Sequence, residues 1–158
     1  MKDSKKTQTT IPAVEKVINV SLPIEAAFDL FTKGIASWWP LKSHSVGNER
    51  VETCVFEGRA GGRIYEIQGD GTQSDWGQVI TWEPPRRVIF TWHPGRIADT
   101  AQEVEVIFTA IEGGTRLELT HTGWELLGDR ADGIREQYES GWNYVLGQLV
   151  GRAERTSN

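Results

Sequence analysis

The chain of 158 residues is poor in several things that would point to common kinds of function. Cys54 is its only cysteine, so no internal disulfide can form and no metal site built on several thiolates is available. No apolar run approaches the roughly 20 residues of a membrane span. Basic residues are outnumbered, with 17 Lys and Arg against 22 Asp and Glu and a net charge of -5, which argues against non-specific binding to nucleic acid or to an anionic membrane. The Lys2, Lys5, Lys6 cluster sits in a polar leader without an apolar h-region and does not read as a secretory signal. These absences predict a cytoplasmic protein without a membrane span or nucleic-acid partner.

Chemical signatures are equally sparse. His44, His93 and His121 lack the HExxH or CxxC-type spacing of a zinc site. No Ser stands in a G-x-S-x-G elbow, and nothing beside Cys54 marks it as a nucleophile. Gly61-Gly62 and Gly69-Asp70-Gly71 do not introduce a helix after a strand, so they read as hairpin punctuation and not as a phosphate-binding loop. The sequence therefore implies no catalytic residue, no metal and no cofactor.

What the chain does contain is patterned. Residues 1–12 are almost devoid of apolar side chains and read as a disordered tail, with a single domain over 13–155. VEKVINV (14–20) suits a first strand. Pro23 fits the first position of a helix that carries Ile24, Ala27, Phe28 and Phe31 on one face and runs to about Lys33, and a second helical piece spans Ile35 to Trp39 before Pro40. From about Arg50, β-branched and aromatic runs alternate with Gly and Pro breaks, predicting six strands near 50–57, 63–68, 74–82, 87–93, 102–111 and 115–122. In QEVEVIFTA, Val104, Val106 and Phe108 share one face and Glu103 and Glu105 the other, so one face of the sheet is dry. A final helix, capped by Asp132 and running from about 133 to 153, carries Ile134, Tyr138, Trp142, Val145, Leu146 and Leu149 at helical spacing on one stripe. This order predicts an α+β fold: a curved antiparallel sheet of about seven strands around a long C-terminal helix, with two short helices after the first strand and a cavity between sheet and helix.

Seven Trp are far above ordinary usage. Trp38, Trp39, Trp76, Trp124 and Trp142 fall in segments expected to line or close the cavity, where a large apolar face with one N–H donor suits an aromatic or lipid-like ligand. The same residues would also serve as core filler. His121 continues the alternation of Leu117 and Leu119 and is expected to point inward, as is Tyr138 on the final helix; an inward His could act as a general acid or base, with Tyr138 the arguable partner, or simply hydrogen-bond a buried group. Arg63, Tyr65, Asp75 and Gln78 are further polar candidates whose facing the pattern leaves open. Gly141, beside Trp142, is costly in a helix by about 1 kcal/mol, which either close helix–sheet approach or room for a ligand would explain.

The segments SLPIEAAFDLFT, ASWWP, FEGRAGGRIYEIQGDGTQSDWGQVITWEPPRRVIFTW, LTHTGWE and GWNYVLGQL resemble members of the START-like (SRPBCC, helix-grip) superfamily, in the branch related to the activator of heat-shock-protein-90 ATPase. The resemblance covers about residues 14–152. It implies a helix-grip fold with a hydrophobic cavity, but not one activity, because members include lipid carriers, hormone receptors, aromatase/cyclases and chaperone activators. Three functions stay open: binding of a small hydrophobic molecule, a cyclase- or hydratase-like enzyme using the cavity, and a protein-interaction module with a chaperone or other partner, as in a stress response. The chain is expected to be a monomer or a homodimer, since an edge strand such as the first or second could pair with another copy.

Overall fold

The computed structural model describes residues 11–96 and 100–157. Most of the expected tail, residues 1–10, lies outside them. Seven strands form one antiparallel sheet: β1 (Val14–Val20), β2 (Val51–Phe56), β3 (Arg63–Gln68), β4 (Gln73–Glu83), β5 (Arg87–Trp92), β6 (Gln102–Ile111) and β7 (Gly114–Thr122). Their spatial order is β1-β7-β6-β5-β4-β3-β2, so β1 and β2 are the two edges. The helices are α1 (Ile24–Phe31), a 3-10 turn at Ile35–Ser37, and the long α2 (Ala131–Ser157). The architecture is the α+β arrangement that the order of elements predicts and the helix-grip fold that the resemblance implies.

Alternation decides which face of each strand is buried. In β6 the inner set is Gln102, Val104, Val106 and Phe108; in β7 it is Thr115, Leu117, Leu119 and His121. In β3 and β4 the inner set includes Ile64, Glu66 and Trp76, which leaves Arg63, Tyr65, Asp75 and Gln78 on the outer face. There the Arg63 guanidinium lies 4.0 Å from the Tyr65 ring centroid and bonds the Asp75 carboxylate at 2.6 Å. These four polar candidates do not face the interior.

The sheet curls because β4 is irregular against both neighbours. Register shifts occur between Ile64 and Tyr65 in the β3–β4 pair and between Val79 and Thr81 in the β4–β5 pair. Bulges of this kind bend a strand and increase its twist. Gly77 permits the bend, since a Cβ there would lie 1.7 Å from Thr91 O.

Two helix starts differ from expectation. Pro23 precedes α1 with an extended backbone instead of occupying its first turn, and α1 ends at Phe31, two residues short of Lys33. Asp132 lies in the first turn of α2 and does not cap it, because Gly123 (φ 94°) and Gly128 (φ 62°) shape a 3-10 turn over Trp124–Arg130 that feeds directly into the helix. The α2 stripe of Trp142, Val145, Leu146 and Leu149 is buried on the sheet, each aliphatic member contributing about 1.5–3 kcal/mol of transfer free energy. Arg135 donates to Pro12 O and Ala13 O at 2.7 and 2.8 Å, and Lys16 bonds Glu139 at 2.6 Å, fastening β1 to the helix. Among the described residues, no helix is long and apolar enough to cross a membrane.

Candidate functional site: an aromatic-walled cleft under the C-terminal helix

A half-open cleft of about 520 Å³ lies between α2, the ends of the central strands and the loop before β2. The helix contributes Gln137, Tyr138, Gly141, Trp142 and Val145; the sheet end contributes Trp92, Pro94 and Gly95; Trp39, His44, Ser45 and Val46 close the remaining side. Its wall is an aromatic cluster, with ring centroids of Trp39 and Trp92 5.7 Å apart, Trp92 and Trp142 6.0 Å, and Trp39 and Trp142 6.0 Å. Spacings in this range are those of favourable tilted and edge-to-face pairs.

Of the residues selected from sequence, Trp39, Tyr138 and Trp142 line this cleft. Trp38, Trp76, Trp124 and His121 are buried behind it or elsewhere in the core. Trp38 packs on Phe31 and donates to Leu30 O at 2.7 Å, while Trp124 packs on His121 and donates to its backbone oxygen at 2.9 Å. Trp76 packs on both Trp39 and Trp92 and donates to Glu66 at 2.6 Å.

His121 is fully buried, and its state follows from its neighbours. Trp142 Nε1 lies 3.0 Å from Nδ1, and an indole N–H only donates, so Nδ1 is the acceptor and Nε2 carries the hydrogen. Nε2 then donates to Gln102 Oε1 at 3.2 Å. Burial, with a smaller contribution from the charge of Arg96, pulls the His121 pKa down to about 3, so the ring stays neutral. Both nitrogens are committed to holding Trp142 and Gln102.

Glu66 performs a comparable service for the rim. Its carboxyl is fully buried in the sheet and accepts from Val46 N and Gly47 N at 2.8 Å each as well as from Trp76 Nε1. A single side chain thereby fixes the loop that carries Ser45 and Val46 and the indole behind Trp39. Cys54, also inward, has its pKa pushed up to about 12 by burial and by Glu66.

The histidine that does reach the cleft is His44. Its ring stacks on Tyr144 at 5.0 Å and 17°, its Nδ1 lies 2.7 Å from Ser43 Oγ, and its carbonyl accepts from Trp39 Nε1 at 2.7 Å. Nothing in the pattern of an irregular loop singles out His44. Trp92 was legible, because the alternation Val88, Phe90, Trp92 in β5 points it inward. Gly141 is settled by geometry: a Cβ there would meet no atom within 4 Å, so close helix–sheet approach does not require it, and the residue borders the cleft.

A second hollow of about 670 Å³ lies beside α1 and the β4–β5 turn. It is larger and more open, and of its charged lining Arg87 is paired within the protein, with Glu83 at 3.2 Å and with Glu105 at 2.7 Å. The cleft under α2 is the stronger candidate.

Residues 21–154 match the family model described as Activator of Hsp90 ATPase homolog 1-like protein. The chain belongs to this family. No similar protein is found among curated ones. A solved structure of an anthrahydroquino-γ-pyrone synthase, Txn09, complexed with a molecule designated SUM, is 36% identical and has a TM-score of 0.58, with 83% of this chain and 89% of that one covered. Protein MLL2253 from Mesorhizobium loti is 18% identical with a TM-score of 0.67, over 91% of this chain and 98% of that one. The Aha1 dimer from Colwellia psychrerythraea is 17% identical with a TM-score of 0.66, over 91% and 97%. The last two share the fold with this family member.

Proposed function

We propose that this chain binds a small hydrophobic molecule, planar and aromatic, in the cleft under α2. The observation that carries the reading is the convergence of Trp39, Trp92 and Trp142 on one wall, with Tyr138 and Val145 beside them. Flat indole faces stack on a rigid ring system at little entropic cost, whereas a flexible acyl chain would lose rotamer freedom on entering. Trp38, Trp76, Trp124 and His121 support such a site from behind, by packing and by hydrogen bonds. A cytoplasmic setting accords with this reading.

Titration of intrinsic tryptophan fluorescence with a panel of planar aromatic compounds, paired with native mass spectrometry of protein purified from its own host, tests the proposal. Quenching that saturates, and that Gly141→Leu removes by filling the cleft, is the expected result. Unchanged fluorescence across the panel refutes it.

A catalytic reading is favoured by the 36% identity to a synthase, since that relative acts as an enzyme under the same fold. Proton transfer would then fall to His44 and Tyr138, which border the cleft, and not to His121, whose nitrogens are both occupied. A chaperone-binding role through the outer face has less support. Val17 and Ile107 are the exposed aliphatics of β1 and β6, and Glu118 lies between them in the register, interrupting an apolar patch.

A further inference from the structure

Twelve residues line the cleft under α2 and none of them is Asp, Glu, Lys or Arg, although these types make up 25% of the chain, a frequency that would put about three in such a set. Cations at its margins are spent elsewhere. Arg96 follows Gly95 of the rim, but its guanidinium donates to Thr100 O at 2.9 Å and to Gln102 Oε1 at 3.2 Å. Arg135 on α2 is turned to Pro12 O and Ala13 O, and Lys42 of the loop donates to Glu49 O and Val51 O at 3.0 Å each. An anionic group entering the cleft would lose water without gaining a counter-ion. The indoles do not cage a cation either. Trp39, Trp92 and Trp142 pack on one another with centroids 5.7–6.0 Å apart, closer than ring faces that hold a cation between them.

The uncharged polar side chains of the lining differ in what they have left to offer. Ser45 Oγ donates to Leu41 O at 2.6 Å and accepts from Asn48 N at 2.8 Å. His44 has Nδ1 against Ser43 Oγ at 2.7 Å, and Gln137 is exposed at the mouth. Tyr138 is placed but not satisfied. Its ring packs on His121 at 5.0 Å and 68° and on Trp124 at 5.5 Å and 51°, while its hydroxyl has no hydrogen-bond partner among the described residues. A phenol oxygen lies on the axis of its ring, so fixing the ring fixes the oxygen. His121 is itself held by Trp142 and Gln102, which makes the support under Tyr138 rigid.

We infer that the ligand of this cleft is an uncharged flat aromatic bearing a hydroxyl, and that Tyr138 selects it by hydrogen-bonding that group. A phenol hydroxyl donates and accepts, and a ligand hydroxyl answers it in either sense. Tyr138 stands one helical turn before Trp142, so the hydroxyl end of the ligand lies at Tyr138 while its rings meet the indole wall. Rings supply affinity for any flat apolar molecule; the charge-free lining excludes acids and amines, and Tyr138 distinguishes among what remains. This inference rests on the cleft being the binding site.

The test titrates four probes at pH 8 by tryptophan fluorescence: anthracene and its 2-hydroxymethyl, 2-carboxylate and 2-aminomethyl derivatives. One neutral hydrogen bond corresponds to about a five- to tenfold change in affinity. Wild type is expected to bind the hydroxymethyl probe tighter than anthracene by that factor, and tighter than either charged probe by about tenfold or more. Tyr138→Phe keeps the ring and removes the oxygen, so the hydroxymethyl probe should lose its advantage over anthracene. Gln137→Lys, at the exposed mouth, supplies a counter-ion and should raise affinity for the carboxylate about three- to fivefold. Far-ultraviolet circular dichroism checks each variant's fold; the wild-type ranking and Gln137→Lys carry the test if Tyr138→Phe is misfolded. A charged probe that binds as tightly as the hydroxymethyl one, or a carboxylate that gains nothing from Gln137→Lys, overturns the inference. So does a hydroxymethyl advantage that is absent in wild type or kept in folded Tyr138→Phe, and in each case the cleft remains the site. Binding of none of the four overturns the inference and the proposed function together.

Discussion

Glu66→Gln is the perturbation that most directly tests how the cleft rim is held. The substitution preserves shape and removes one acceptor. In the native arrangement two carboxyl oxygens serve three donors: Val46 N–H and Trp76 Nε1–H on Oε1, and Gly47 N–H on Oε2. A glutamine that keeps its oxygen toward Val46 and Trp76 must set its NH2 against Gly47 N–H. Two bonds to a carboxylate become bonds to a neutral amide, each weaker by about 1 kcal/mol, and one buried donor is orphaned at about 1–3 kcal/mol. The expected loss is about 3–5 kcal/mol. Urea unfolding at neutral pH measures it, with Asp75→Asn as the control, because the Arg63–Asp75 pair is exposed and its loss should cost about 1 kcal/mol or less. Hydrogen exchange adds a local readout: the Val46 and Gly47 amides should exchange faster in Glu66→Gln than the global loss of stability alone predicts. A stability loss no greater than that of the control, with unchanged protection at Val46 and Gly47, would refute the argument that Glu66 holds the rim.

Other consequences are measurable. The folded His121 pKa lies near 3 and the unfolded one at 6.5, so below pH 6.5 the unfolded chain takes up a proton that the folded chain refuses; stability falls by about 1.4 kcal/mol per pH unit, or about 3 kcal/mol from pH 6.5 to 4. Denaturation at several pH values should show this acid-side slope to be steeper in wild type than in His121→Gln, and equal slopes would contradict it. The buried Cys54 thiol, pushed up to about 12, should resist alkylation by iodoacetamide at pH 8 in the folded protein and react fully in urea. Gly141→Ala should stabilise the protein by up to about 1 kcal/mol in thermal unfolding, since its methyl meets nothing within 4 Å, and a destabilised variant would show that α2 approaches its neighbours more closely there.

The sheet was readable from the sequence because most strands repeat a two-residue period between unambiguous breaks. VEKVINV and QEVEVIFTAI occupy the predicted positions 14–20 and 102–111. Irregular backbone was less legible. The start of α2 depends on left-handed glycines at 123 and 128, which no apolar period reports, and Asp132 looked like a cap only because that turn was invisible. Polar residues at inward positions were visible in principle. Glu66, Gln102 and His121 each occupy an inner position of an alternating strand, a pattern that is expensive unless a partner is supplied. Their partners are what alternation cannot name, since His121 meets Trp142 across 21 residues and Glu66 meets Val46 across 20.

That limit bears on the tryptophans above all. Excess alone does not separate core indoles from ligand-facing ones, because every one of them has a large apolar body to bury. The N–H does separate them. An indole whose hydrogen is consumed by the fold has its ring plane and position fixed by that bond, as Trp142 is by His121 and Trp76 by Glu66, and it presents a rigid face. An indole that is buried with its hydrogen unmet retains a directional contact to make. Among the described residues Trp92 is in that condition, its Nε1 buried without a partner. A core built only for stability would have gained by replacing that indole with phenylalanine, since an unmet buried donor costs about 1–3 kcal/mol.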